Sequence, residues 1–197
     1  MLSFCMGTAA FALYLFYDLN SFLWQRKVPR TFFMAGTLLL AAAVVTDITT
    51  ACRAKAFAGL GDILLLAIAF LGFAALMYSL FFALPFDKTY TEQQNGRRVY
   101  DRGVYALCRH PGILCFFWMY AALGLAALPH SQVLFNGTVF SLLNLAYAWF
   151  QDRITFPKTF INYPEYQQTT PFLIPTKASI RTACELFTGA ADKEEQP

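Results

Sequence analysis

Residues 110–151 read HPGILCFFWMYAALGLAALPHSQVLFNGTVFSLLNLAYAWFQ, a run without a single Asp, Glu, Lys or Arg. One helix needs about 20 apolar residues to cross roughly 30 Å of hydrocarbon, so this run is too long for one span and suits two. Pro129 and His130 interrupt it near the middle, where a proline ends a helix. The sequence therefore predicts a membrane hairpin of two helices, 112–128 and 133–150.

Three more apolar stretches precede this hairpin, at residues 2 to about 24, 31 to about 48 and 63–84. The first stretch lacks the basic segment and the small-residue cleavage site of a signal peptide, so we expect it to remain as a span. We predict an all-α polytopic membrane protein with about five transmembrane helices and a cytoplasmic amphipathic C-terminal segment.

The composition excludes several classes of protein. Hydrophobic residues make up 57% and charged residues 14% of the 197 residues, and mean hydropathy is +0.45. These are too few charges to cover an ordinary cytosolic enzyme. The net charge of +3 is spread over several loops and forms no nucleic-acid groove. The five cysteines and two histidines have no metal-ligand spacing, so we expect an organic cofactor or none.

The loop charges predict an orientation in the membrane. With five spans, 13 of the 15 Lys and Arg residues fall on one face, in 26–30, 88–109 and 153–193, and only Arg53 and Lys55 on the other. Because positive loops stay in the cytoplasm, we expect an extracytoplasmic N-terminus and a cytoplasmic C-terminus. The two longest polar segments, 85–109 and the tail from 151, then meet on the cytoplasmic face.

The polar segment before the hairpin ends in Arg109, His110 and Pro111. Proline suits the first turn of a helix because its missing N–H would have no partner there. The N–H groups that follow can bind an anionic group with help from the helix dipole. Taken alone, the same residues also fit an anchor at the lipid interface.

Two motifs resemble a known family. Gly103, Tyr105 and Arg109-His110-Pro111 match the G-x-Y-x-x-x-R-H-P signature of the isoprenylcysteine carboxyl methyltransferase family, which includes related membrane phospholipid methyltransferases. The segment 163–175, YPEYQQTTPFLIP, resembles the family's Y-x-x-Y-x-x-x-V-P-x-x-I-P ending, with Thr170 in place of Val. The resemblance covers residues 86–175 and includes the helical hairpin between the motifs.

The resemblance implies an S-adenosylmethionine-dependent methyltransferase that acts on a lipophilic substrate or lipid reached through the membrane. It implies catalytic roles for Arg109, which would hold the methionine carboxylate or orient the pocket, and for Asp152. The residues that it implies for cofactor binding are Gln94, Arg97, Arg98, Val99, Tyr100, Tyr105, His110, Pro111, Gly112, Ile113 and Gln151.

The chain departs from the family pattern at four places. Ile113 and Cys115 replace an aromatic residue and a glycine after R-H-P, and Gln151 replaces the first of two acids, so that Asp152 alone supplies a carboxylate. Tyr147 stands where the prenylcysteine enzymes place a basic residue near the substrate carboxylate. A neutral or amine-bearing lipid, or a small hydrophobic metabolite, therefore fits better than a prenylated cysteine.

We predict three regions: a three-helix membrane region in 1–85, a methyltransferase-like core in 86–175 and a polar tail in 176–197. Two alternatives to the methyltransferase stay open. One is a non-catalytic membrane protein that keeps the scaffold as a binding or accessory module. The other is a membrane reductase of the sterol-reductase type, which would use NADPH.

Overall fold

A computed structural model describes residues 1–20, 23, 31–54, 57, 59–83, 97–128 and 131–187. Regular secondary structure in these ranges is helical, which confirms the predicted all-α class. The helices are α1 Leu2–Leu19, α2 Thr31–Ala54, α3 Leu60–Met77, α4 Val104–Leu107, α5 Pro111–Ala126, α6 Ser131–Phe150, α7 Phe156–Thr159, α8 Tyr163–Thr169 and α9 Lys177–Phe187. π-Helical turns extend α3 over Tyr78–Phe82 and α6 over Gln151–Thr155.

Four helical segments are long and apolar enough to cross a membrane: Leu2–Leu19, Thr31–Arg53, Leu60–Phe82 and Ser131–Thr159. The predicted span 112–128 corresponds to α5, which is apolar but has only 16 residues. At 1.5 Å per residue it is about 24 Å long, short of a hydrocarbon layer. Four candidate spans are therefore established within the described ranges, and the second of them, α2, runs past the predicted end at residue 48.

The candidate spans expose their apolar side chains. Along α3, Leu64 is 55%, Phe70 68% and Leu71 65% exposed. A helix that is apolar on every side and still largely uncovered by protein is typical of a chain whose surroundings are lipid. The exposure agrees with the membrane assignment.

The chain forms two compact units, and the first comprises residues 1–73 and 116–151. In this unit α1 packs along α2 and also contacts α6, and α2 contacts α6. A core of small apolar residues joins α2, α3, α5 and α6; it contains Ala51, Ala69, Ala122, Leu123, Ala127 and Val133. Small side chains let membrane helices approach closely, which supplies the packing that the hydrophobic effect cannot supply in lipid.

The two helices of the predicted hairpin pack against each other through glycines. A Cβ atom at Gly124 would lie 2.9 Å from the Cα atom of Leu134, and one at Gly137 would lie 2.6 Å from the ring of Tyr120. Only glycine fits at such distances. Pro129 and His130, predicted to form the turn, lie outside the described residues.

The second unit comprises residues 74–115 and those from 152 onward. Here α9 packs on α4. The start of α9 is capped reciprocally, because the Ser179 hydroxyl accepts from the Thr176 N–H (2.9 Å) and the Thr176 hydroxyl accepts from the Ser179 N–H (3.2 Å). Ser179 and Ala183 are buried while Ile180 and Phe187 are exposed, so α9, which lies in the predicted polar tail, packs on the unit through small side chains.

Candidate functional site

The R-H-P segment connects α4 to α5 in the second unit. Gly103 precedes α4 with a φ of 61°, a conformation that favours glycine, and the chain is extended again at Cys108. Burial raises the pKa of the Cys108 thiol to about 11, so this cysteine is uncharged at neutral pH. Pro111 is the first residue of α5, as its sequence position predicts.

Arg109 and Asp152 form a buried, bidentate ion pair. Arg109 Nε lies 2.7 Å from Asp152 Oδ1, and Arg109 Nη2 lies 3.1 Å from Asp152 Oδ2. The two side chains are 8% and 1% exposed. Two parallel hydrogen bonds between a guanidinium and a carboxylate are stronger and more directional than a single contact. The pair fixes the R-H-P segment to the start of the tail.

Further donors complete the shell of Asp152. The Tyr163 hydroxyl donates to Oδ1 at 2.6 Å, and Gln167 Nε2 donates to Oδ2 at 3.1 Å and to the Asp152 backbone carbonyl at 2.9 Å. Burial and the neighbouring carboxylate raise the pKa of Tyr163, so its hydroxyl keeps the proton that it donates. A carboxylate with this many donors is held in one orientation.

Arg109 also holds the second half of the tail motif. Its Nη1 donates to the backbone carbonyls of Gln167, at 3.1 Å, and of Thr170. Its backbone N–H donates to the Pro171 carbonyl at 2.9 Å. One arginine therefore binds three carbonyls of the tail in addition to Asp152, which explains why Arg and not Lys suits this position.

A second connection joins the two motifs through tyrosines. The buried Tyr166 hydroxyl donates to the Tyr105 carbonyl at 2.6 Å, and the Tyr105 hydroxyl donates to the Ser79 carbonyl at 2.9 Å. Burial raises the pKa of Tyr166, which keeps it a neutral donor. The first and second tyrosines of the tail motif thus bind Asp152 and Tyr105, respectively.

His110 lies between two aromatic rings. Its ring is nearly parallel to that of Phe156 at a centroid distance of 5.9 Å, and the Phe172 ring is 4.9 Å away. His110 Nε2 lies 3.5 Å from Asp152 Oδ1, which is too long for a hydrogen bond. Among the described residues this buried nitrogen has no hydrogen-bond partner, and neither has the buried hydroxyl of Thr155, one turn after Asp152.

Residues 97–100, which the resemblance implies for cofactor binding, run beside the tail. The Ile161 N–H donates to the Arg97 carbonyl at 2.9 Å, and the Val99 N–H donates to Asn162 Oδ1 at 2.7 Å. Tyr100 meets Tyr105 edge to face at 6.4 Å. The tail and this segment enclose an open cleft of about 430 Å³, lined by Arg98, Asp101, Ile161, Asn162, Glu165, Tyr166 and Thr169.

Most of the predicted site residues therefore belong to one unit. The second unit contains both predicted catalytic residues and, of the predicted cofactor residues, Arg97, Arg98, Val99, Tyr100, Tyr105, His110, Pro111, Gly112 and Ile113. Gln94 lies outside the described residues. Gln151 is the predicted residue that belongs to the first unit.

Gln151 has partners of its own in the first unit. Its Nε2 donates to Asp18 Oδ2 at 3.0 Å and to the Tyr147 hydroxyl at 2.9 Å. The buried Asp18 therefore supplies a carboxylate next to the position where the family pattern has an acid. Tyr147 in turn stacks on Tyr14 at 5.6 Å.

Several residues that contact the predicted site residues were not themselves predicted from the sequence. They are Tyr163, Tyr166, Gln167, Phe156, Asn162 and Phe172. The tail motif could have identified four of these, since Tyr163, Tyr166, Gln167 and Phe172 lie inside it. Motif spacing places them in the segment but does not reveal which partner each side chain binds.

Comparison of the chain with profiles of known protein families, with characterised proteins and with solved structures finds no match. The resemblance to the isoprenylcysteine carboxyl methyltransferase family therefore rests on the two short motifs. What the structure adds is the set of contacts that joins them.

We predict that Gln151→Glu destabilises the protein at neutral pH. The new carboxylate would replace a donor to Asp18 with a second negative charge, which costs on the order of 2 kcal/mol, between the values for bulk water and for a protein surface. This loss of stability should become smaller at acidic pH, where one of the two neighbouring carboxyl groups is protonated. Thermal unfolding in detergent at pH 7 and pH 4 measures it, with the exposed Gln168→Glu as control. A Gln151→Glu melting temperature at or above that of the wild type at pH 7 would contradict the Asp18 contact.

Proposed function

We propose that the protein is an S-adenosylmethionine-dependent methyltransferase that acts at the membrane on a lipophilic substrate. The observation that carries the proposal is the direct contact between the two sequence motifs. The R-H-P segment and the tail, which are some 40 to 60 residues apart in sequence, are joined by the Arg109–Asp152 pair and by the Tyr166–Tyr105 hydrogen bond. Two motifs that merely resembled a family by chance would have no reason to bind each other.

The residues present suit a cofactor with an anionic carboxylate and a cationic sulfonium. His110 Nε2 and the Thr155 hydroxyl are buried polar atoms without partners in the described ranges, and buried polar groups are normally satisfied. In the His110–Ile113 turn at the start of α5, the Ile113 N–H bonds the His110 carbonyl, so the Gly112 N–H is the group that would meet a carboxylate. Phe156 and Phe172 add aromatic faces to this turn, and such faces attract cations.

The protein's part in such a reaction is alignment. S-adenosylmethionine, when bound, supplies an electrophilic methyl group, and transfer needs an acceptor in line with it and little water. His110, Tyr105 and the Arg97–Tyr100 segment would bind and orient the cofactor. The roles of Arg109 and Asp152 as catalytic residues stay predictions; their mutual ion pair supports a positioning role, because it sets the direction of the R-H-P turn.

The acceptor that we propose is a neutral or amine-bearing lipid or a small hydrophobic metabolite. Tyr147, where the prenylcysteine enzymes place a basic residue, is neutral and hydrogen-bonded to Gln151. A substrate carboxylate would find no positive charge at this position. An uncharged or cationic acceptor would not need one.

We also propose that α5 is a fifth, short span, that the N-terminus is extracytoplasmic and that the site lies on the cytoplasmic face. The unequal distribution of Lys and Arg supports this orientation. Reporter fusions after residue 128 should show the extracytoplasmic side, and fusions after residue 187 the cytoplasm. The reverse result would take the site away from a cytosolic cofactor.

Titration calorimetry of the protein in lipid nanodiscs tests the function. We expect S-adenosylmethionine and S-adenosylhomocysteine to bind and NADPH not to bind. NADPH binding alone would favour a reductase, and no binding at all would favour an accessory protein.

His110→Ala tests the site itself. We expect it to weaken S-adenosylmethionine binding at least tenfold, about 1.4 kcal/mol, in a variant that stays folded but melts at a somewhat lower temperature because a buried ring is lost. The exposed Arg53→Ala, in the first unit, is the matched control and should bind as the wild type does. Wild-type affinity in His110→Ala would leave the R-H-P segment as an interfacial anchor.

A further inference from the structure

A second polar centre lies in the membrane region of the first unit. Asp47 of α2, Tyr120 of α5, Asn136 of α6 and Ser3 of α1 are 1%, 1%, 1% and 3% exposed. They are far apart in sequence and come from four helices. Polar groups cost free energy inside a membrane, and an ionisable residue there is a candidate functional site.

The four side chains form one hydrogen-bonded cluster. Asn136 Nδ2 donates to Asp47 Oδ1 at 2.9 Å and to Ser3 Oγ at 2.9 Å. The Tyr120 hydroxyl lies 3.3 Å from Asp47 Oδ2. Asp47 therefore has polar neighbours on α5, α6 and α1, namely Tyr120, Asn136 and Ser3.

The cluster contains no cation paired with Asp47. Asp152 pairs with Arg109, whereas no ion pair between described residues includes Asp47. The titratable groups that act on it are Tyr120 of α5 and the amino group of Met1, which precedes α1. From α6 it faces the uncharged amide of Asn136. An ionised Asp47 would be a buried negative charge whose contacting side chains are all uncharged, with the Met1 amino group as the cation that acts on it.

Asn136 supplies the second observation. Its Nδ2 has two acceptors, but its buried Oδ1 accepts no hydrogen bond from the described residues. A carboxylate beside it has no hydrogen to give, whereas a carboxylic acid has one. A proton on Asp47 would remove the buried charge and would bring into the cluster the donor that this orphaned oxygen lacks.

A neutral Asp47 also suits the opposite orientation of the Asn136 amide. If the amide is turned over, its oxygen takes the place of Nδ2, 2.9 Å from Asp47 Oδ1. Two oxygens at that distance need a hydrogen between them. In both orientations the neutral acid is the form that complements the amide.

We infer that Asp47 and Asn136 form a proton-binding site inside the membrane region, in which Asp47 is a neutral carboxylic acid whose O–H faces the Asn136 amide. The ligand is one proton, taken from water onto a carboxylate oxygen without electron transfer. This site is independent of the proposed methyltransferase activity. It makes the packing of α1, α2, α5 and α6 depend on a bound proton.

The sign of the pH dependence follows from linkage. In the unfolded chain Asp47 ionises above about pH 4, while the folded protein keeps the proton, so folding requires proton uptake and stability falls as pH rises from there. Asp47→Asn keeps the shape, offers a permanent donor and needs no proton. We therefore expect Asp47→Asn to raise the melting temperature at pH 7 by about 2–8 °C, and we expect its advantage over the wild type to disappear near pH 4.

Infrared spectroscopy of the protein in nanodiscs gives the direct test. With ¹³C-labelled aspartate, the wild type at pH 7 should show the carbonyl stretch of a protonated carboxylic acid, and Asp47→Asn should lose it. The exposed Asp101→Asn is the matched control and should keep the band. The band in the wild type can be measured even if a variant fails to fold.

Three results would overturn the inference. Absence of the acid band in the wild type at pH 7, or a lower melting temperature of Asp47→Asn at that pH, would mean an ionised Asp47 held by its three polar neighbours. The spectra are recorded in choline chloride, a salt without a small metal cation. Loss of the acid band when sodium chloride replaces it would mean that the site binds Na⁺ and not a proton.

Discussion

The buried ion pair between Arg109 and Asp152 is the interaction on which the second unit depends. Removing two charges from water is expensive, and a buried pair repays that cost only when the remaining hydrogen-bonding capacity is also satisfied. Tyr163 and Gln167 satisfy the carboxylate, and the carbonyls of Gln167, Thr170 and Pro171 satisfy the arginine. The need to satisfy the buried ion pair therefore fixes the position of each of these groups, and their contacts with Arg109 hold the R-H-P turn in place.

Asp47 meets the cost of burial in another way. The arginine that balances Asp152 has no counterpart near Asp47 in the described ranges, where the neighbours are an amide and two hydroxyls. A carboxyl group can be buried by pairing its charge or by losing it. The second unit thus contains the paired carboxylate, Asp152, and the first unit contains the carboxyl without a paired arginine, Asp47.

Much of the fold follows from the sequence, because charge-free length alone separates lipid-crossing helices from loops. The charge-free run 110–151 predicts that α5 and α6 form a hairpin. The length of α5 is only 16 residues, because the helix starts at Pro111 and ends at Ala126. Partner choice could not be predicted. Gln151 and Asp152 are neighbours in sequence, yet one binds Asp18 and the other Arg109. The Asp47–Asn136 contact joins residues that are 89 positions apart, and neither residue lies in one of the two motifs.

A double-mutant cycle on Arg109 and Asp152 tests the central claim most directly. Arg109→Met and Asp152→Leu each leave an uncompensated buried charge and should each lower the free energy of unfolding by about 3–5 kcal/mol. The double variant, measured by chemical unfolding in the same detergent, should lose markedly less than the two single losses combined. Strictly additive losses would show that the two side chains do not interact, and the union of the two motifs would then need another explanation.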